Sequence, residues 1–311
     1  MVKIEKNNQK CDRCDKISVY SRKYSGEHMC NDCFKLSIIE KTRKTISKYK
    51  MMKYGDTVAV AVSGGKDSLS LLKILYKLTS SHNQKLKVIT IDEGIQEYRN
   101  EAINISHKFV SKMSIEHMII SFKTLFGFSL DEVLKLRNNE KISACSLCGV
   151  LRRRAIDFAA KKVGADIVVT GHNLDDFIQT YLINLTKGDI GRFEFLNPSF
   201  ESHTDLPKRV KPFIEIYEEE IAFYAYLSEI PFQTIPCHYM NEGIRTEIRS
   251  FFNNLEKLHP GIKYNTFNTT LKLISNFQTT NKSRNCEICG YPSSNNICAT
   301  CKTINLILKN R

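Results

Sequence analysis

TVAVAVSGGKDSLSLLKILYKL, Thr57 to Leu78, changes its hydrophobic period across a pair of glycines. The run from Thr57 to Val62 has the continuous apolar character of a buried strand. Leu69, Leu72, Leu75 and Tyr76 then recur at helical spacing. Between them lie Ser63, Gly64, Gly65, Lys66, Asp67 and Ser68. Glycines let the backbone turn tightly there, free amides face an anion, and the helix N-terminus adds a favourable dipole. The spacing of a Walker loop is absent. A plain strand-turn-helix connection is the other reading of these six residues.

The same alternation continues outward. Lys87 to Asp92 (KVITID), His117 to Ser121 (HMIIS) and Asp166 to Thr170 (DIVVT) read as strands. Helices are expected at about 96 to 112 and from Val150 to Lys162. The pattern predicts an α/β fold with a doubly wound, mostly parallel sheet, whose ligands gather at the carboxyl ends of the strands. GHNLDDFIQT (Gly171 to Thr180) follows one such end, where Asp175 and Asp176 are either a functional carboxylate pair or a helix cap. His172 could equally pack or cap. Glu40 to Lys53 is a basic amphipathic segment carrying Lys41, Arg43, Lys44, Lys48, Lys50 and Lys53, which suits either a solvated face or phosphate contact.

Lys and Arg outnumber Asp and Glu by 46 to 33 in 311 residues, a formal charge of +13 that favours a polyanionic partner. No apolar run approaches the ~20 residues of a membrane span, and MVKIEKNNQK lacks a signal-peptide core. A cytoplasmic protein with reduced thiols is therefore expected. Ten of the 11 cysteines form Cys-x-x-Cys pairs, leaving Cys237 alone. Cys11, Cys14, Cys30 and Cys33 make one set of four, and Cys286, Cys289, Cys298 and Cys301 another. Each suits tetrahedral structural zinc, with iron as the rival metal. The expected organisation is an N-terminal zinc module at 1–35, a catalytic domain at 36–280 and a C-terminal zinc ribbon at 281–311. Cys145, Cys148 and Cys237 remain as an incomplete set, and an open coordination position marks a reactive site.

SGGKDS resembles the PP-loop of the ATP pyrophosphatases, which cleave ATP between the α- and β-phosphates and pass AMP to a substrate oxygen. The resemblance implies that Ser63, Gly64, Gly65, Lys66 and Ser68 hold ATP and that Asp67 helps bind Mg²⁺. It also puts the strand end Ile91 to Gly94, with Asp92, near the adenosine, and Gly171 and His172 beside the nucleotide. With CSLCGVLRR, GHNLDD and Pro236-Cys237, the chain is similar to the tRNA 2-thiouridine synthetases, the group of thermophile T-loop thiolases and archaeal and eukaryotic wobble thiolases. Bacterial 2-thiocytidine synthetases share the central motifs but lack the two-zinc layout.

The resemblance implies that Cys145, Cys148 and Cys237 ligate a 4Fe-4S cluster with one iron free to carry sulfur. It further implies that Asp176 acts near ATP and metal, that Arg152 counters phosphate charge, and that the two Zn²⁺ sites are structural. This chain has Phe177-Ile178 in place of a Glu-Ala-like pair, and it has Arg152 where many relatives carry Lys, which keeps the charge but puts a proton-transfer role for residue 152 in doubt. The implied reaction is adenylation of a tRNA uridine C2 oxygen, then its replacement by sulfur from sulfide or a ubiquitin-like thiocarboxylate carrier, in a protein that forms a homodimer. A persulfide on Cys145 or Cys148 without a cluster, and a nucleotide-regulated zinc-ribbon RNA-binding protein, are the competing readings.

Overall fold

The computed structural model describes residues 9–80, 83–135, 143–198, 206–240, 244–275 and 284–308. The N-terminal knuckles surround a short hairpin, β1 (Tyr20–Arg22) and β2 (Glu27–Met29), and lead into α1 (Asn31–Lys48). The central part runs β3 (Thr57–Ala61), α2 (Lys66–Thr79), β4 (Lys85–Asp92), α3 (Tyr98–Ser111) and β5 (Glu116–Ser121). It continues through α4 (Phe122–Phe126), α5 (Leu130–Lys135), α6 (Ala144–Lys162), β6 (Ile167–Thr170), α7 (Leu174–Thr186), β7 (Lys208–Val210) and α8 (Glu218–Leu227). Two further helices, α9 (Arg245–Leu258) and α10 (Ile262–Ser275), precede a terminal hairpin, β8 (Arg284–Asn285) with β9 (Pro292–Ser293), and α11 (Ala299–Leu308).

The five central strands are all parallel, in the order β5-β4-β3-β6-β7. Apolar alternation sorts the layers. Val58 and Val60 of β3 face a core with Leu69, Leu72 and Phe177, while Ala59 faces a second core with Leu151, Ala155 and Ile307. The chain winds outward from β3 to β5 and returns to place β6 on the other side of β3. The topological switch point therefore lies between the carboxyl ends of β3 and β6, where an open α/β sheet leaves a crevice.

Several expected elements differ in extent. Helix α6 starts at Ala144 rather than Val150, because Ser143 caps it by accepting a hydrogen bond from the Ser146 amide. Tyr76, expected on the buried face of α2, is 45% exposed, while Leu71 and Ile74 are buried along with Leu69, Leu72 and Leu75. The basic segment ends its helix at Lys48. Within it Lys41 lies among Tyr24, Tyr264 and Glu220, so it serves packing and not a solvated face. The expected boundary between residues 35 and 36 falls inside α1, and the one between 280 and 281 lies outside the described residues. Among the described residues, no helix is long and apolar enough to cross a membrane.

Candidate active site

The loop from Ser63 to Ser68 leaves β3 at the switch point. Gly64 has φ +85°, and a Cβ there would stand 2.6 Å from the Ala102 carbonyl oxygen, so only glycine fits. Ser68 Oγ accepts from the Ser63 amide at 3.1 Å and donates to the Gly65 carbonyl at 3.0 Å, which curls the loop over the start of α2. Gly171, at the end of β6, presses on this curl: its Cβ would come within 2.9 Å of the Ser68 amide nitrogen. The two glycine motifs, remote in sequence, form one wall.

Lys66 Nζ bonds Asp67 Oδ2 at 3.0 Å and Glu218 Oε1, on α8, at 2.8 Å. The other Asp67 oxygen, Oδ1, is buried without a hydrogen-bond partner. Burial pushes the Asp67 carboxyl up to about 6, against the pull of Lys66. A buried carboxylate oxygen with no donor suits a hard divalent cation. Asp92 closes its own turn by accepting from the Gly94 amide at 2.9 Å.

The two aspartates after β6 separate. Asp175 is buried, paired with Lys263 and accepting from the Glu218 amide, which makes it a packing residue. Asp176 forms a capping box with Asn173 and keeps its Oδ1 3.9 Å from Arg245 Nη1, so it is both a cap and a charge in the crevice. His172 Nδ1 lies 2.8 Å from Thr170 Oγ1.

The early start of α6 puts Cys145 and Cys148 in its first two turns. Cys145 is exposed, with Sγ 3.4 Å from the Tyr239 carbonyl, while Cys148 is 6% exposed and accepts from Arg152 Nη2 at 3.1 Å. Burial pushes the Cys148 thiol up to about 11, against Arg152. Cys237 arrives on a segment tied to the Ser63–Ser68 loop: the Gln233 amide donates to the Gly64 carbonyl at 3.0 Å. Arg152 Nε also meets Glu93 Oε1 at 2.6 Å, and Glu93 Oε2 lies 2.7 Å from Arg99 Nε. Arg99 in turn donates to the Ser63 carbonyl at 2.8 Å. Glu93, Arg99, Gln233 and Glu218 carry no motif spacing. The only sequence signal for the first is its place in the strand end Ile91 to Gly94.

The eight remaining cysteines form two compact sets. The sulfurs of Cys11, Cys14, Cys30 and Cys33 lie within 4.8 Å of one another, as do those of Cys286, Cys289, Cys298 and Cys301. Four thiols so close fit one tetrahedral ion each. Among the described residues, Cys145, Cys148 and Cys237 do not close into so tight a set. Cys237 packs in the same apolar cluster as Cys148, together with Tyr239, whose carbonyl meets Cys145. Three thiol donors spaced more widely around one end of the crevice suit a cluster better than a single ion.

Residues 36–255 match the PP-loop domain family, and residues 10–35 match the family described as 2-thiouridine synthetase TtuA, N-terminal LIM domain. A probable sulfurtransferase of Methanocaldococcus jannaschii is 36% identical over 292 residues, covering 93% of this chain and 85% of that protein. The cytoplasmic tRNA 2-thiolation protein 1 of Dictyostelium discoideum is 34% identical over 307 residues, covering 96% of this chain and 83% of its own length. Among solved structures, the U34-tRNA thiolase NcsA from Methanococcus maripaludis with its 4Fe-4S cluster aligns with a TM-score of 0.84 at 33% identity, covering 98% of this chain and 97% of that one. With its nucleotide loop, its cysteine trio and both four-cysteine modules in one frame, the chain belongs to the PP-loop family of tRNA 2-thiolation proteins.

Proposed function

We propose that this chain is an ATP-dependent tRNA-uridine 2-sulfurtransferase of the cytoplasm. The observation that carries the reading is the meeting of a phosphate-type loop and three cysteines in one crevice at the switch point. The loop amides and Lys66 bind the phosphates of ATP, and Asp67 Oδ1 supplies an oxygen to Mg²⁺. The uridine C2 oxygen attacks the α-phosphorus; the new O–P bond forms as the bond to pyrophosphate breaks. Arg152, its side chain half-exposed, counters the charge that develops there. Sulfur then attacks C2, and the C–O bond breaks to release AMP. Both steps balance without an oxidant when the donor delivers sulfur at the level of sulfide, as free sulfide or a ubiquitin-like thiocarboxylate does.

Cys145, Cys148 and Cys237 are the residues that would hold a 4Fe-4S cluster like the one named in the Methanococcus maripaludis structure, and such a group supplies an iron free to bind sulfur. The buried Cys148, whose thiol is held up near 11, is a poor persulfide carrier on its own. The two four-cysteine modules would each hold a structural Zn²⁺, and the protein would act as a homodimer. The deciding experiment is anaerobic purification, metal analysis, and mass spectrometry of tRNA nucleosides after incubation with ATP and sulfide. ATP-dependent 2-thiouridine with AMP release is expected; full activity in strictly iron-free protein would remove the cluster from the mechanism, and no thiouridine at all would sink the reading.

A further inference from the structure

One buried carboxylate joins the two halves of the crevice. Glu93 and Arg99 are each 3% exposed, and a carboxylate taken out of water at that depth persists only when paired. Its backbone is fixed on both sides. The Glu93 carbonyl accepts from the Leu130 amide at 2.8 Å, and Gly94 follows at φ +70°, with its Cβ position 2.5 Å from Ser129 Cβ.

From this anchor the two carboxylate oxygens reach different arginines. Oε2 contacts Arg99 Nε at 2.7 Å, an ionic contact not aligned as a hydrogen bond. The guanidinium of Arg99 then uses both remaining arms on backbone, donating to the carbonyls of Ser63 and Ile91. The Ser63 carbonyl shares a rigid peptide plane with the Gly64 amide, so this bond orients one donor of the nucleotide loop. On the other side Oε1 holds Arg152 Nε at 2.6 Å, and Arg152 Nη2 touches Cys148 Sγ. Arg152 is 45% exposed at its side chain, so without Glu93 nothing else among its named contacts would fix it except the sulfur.

We propose that Glu93 is the positioning residue that keeps the nucleotide loop and Cys148 in one register, through Arg99 on one side and Arg152 on the other. The proposal rests on the adenylation-and-thiolation reading above. Its consequence is coupling: an adenylated uridine forms where sulfur can reach it, so ATP is not spent without product.

Glu93→Gln tests this. An amide has one acceptor oxygen, and its NH₂ group would face a guanidinium donor, so glutamine can keep one arginine but not both. With anaerobically prepared, cluster-loaded protein, 2-thiouridine formation should fall about 10-fold or more, and AMP released per 2-thiouridine should rise about threefold or more. The electron paramagnetic resonance signal of the reduced cluster should shift, since the donor on Cys148 Sγ has moved. A merely structural role would lower both products together, in proportion to folded protein, and leave their ratio at the wild-type value. A constant ratio overturns the proposal. If E93Q does not accumulate as folded protein, Arg99→Lys carries the same test, because lysine keeps the charge but cannot serve both carbonyls. Wild-type protein that makes neither AMP nor 2-thiouridine would instead overturn the functional reading, and this proposal with it.

Discussion

Gly171 and Asp67 show how single residues set the crevice. Adding a methyl at Gly171 would force a carbon to within 2.9 Å of the Ser68 amide, so the loop must shift. Gly171→Ala is expected to weaken ATP binding about 10-fold, with a stability loss of about 1–3 kcal/mol, measured by calorimetry and urea unfolding. Asp67 behaves in the opposite sense. Its unpartnered oxygen gives the ligand-free fold nothing, so Asp67→Asn should leave ligand-free stability within about 1 kcal/mol of wild type or raise it, while ATP-to-AMP turnover is lost. Sequence made both residues visible, since each sits in a glycine or acid motif beside a strand end. It did not single out Glu93, Arg99 or Gln233. Their work depends on contacts across the fold, which no local spacing records.

Strands and helices of the central sheet could be read from period alone: β3 to β6 lie within two residues of their expected bounds. The exceptions have local causes. The first turns of α6 hold Cys, Ser and Gly, poor helix formers, and only Ser143 signals the start. Strand β7 is three residues long and shows no period. The edge strand β5 carries a test at this scale. His117 Nε2 lies 2.9 Å from Thr90 Oγ1, its Nδ1 is buried without a partner, and burial, with His107 nearby, lowers its pKa to about 4. The unfolded chain therefore takes up the proton first, and stability falls as pH drops from the ordinary histidine value through 4. His117→Asn should gain about 1 kcal/mol on wild type at a pH of about 5.5 relative to about 7.5, after allowance for partial solvent exposure. Thermal melts of both proteins at the two values check it.

At the scale of the whole molecule, each cysteine module is docked on an element that serves the crevice. The C-terminal module reaches α6 through Tyr291, whose hydroxyl donates to Asp157 and whose ring lies under Arg154 at 3.8 Å. The N-terminal module reaches α8 through a buried ion pair, Arg22 Nε to Glu220 Oε1 at 2.6 Å, and α8 also presents Glu218 to Lys66. Breaking that pair leaves a buried carboxylate with Lys41 as its nearby cation, so Arg22→Met should cost about 3 kcal/mol in urea unfolding. The four-cysteine sets were legible as spacing, but their attachment was not, because Arg22 and Glu220 are 198 residues apart.

Helix α1 gives the N-terminal module a particular kind of membership. Cys30 stands at its N-cap, Cys33 lies in its first turn, and Phe34 and Ile38 on the same helix enter the main core. Two cysteines of the four-cysteine set and core residues thus share one rigid rod with no hinge between them. For protein engineering the module is therefore not a cassette. A chimera that exchanges it at residue 35 would cut a helix in mid-turn, whereas one that carries α1 and α8 along with it would keep the Arg22–Glu220 pair that joins the module to α8.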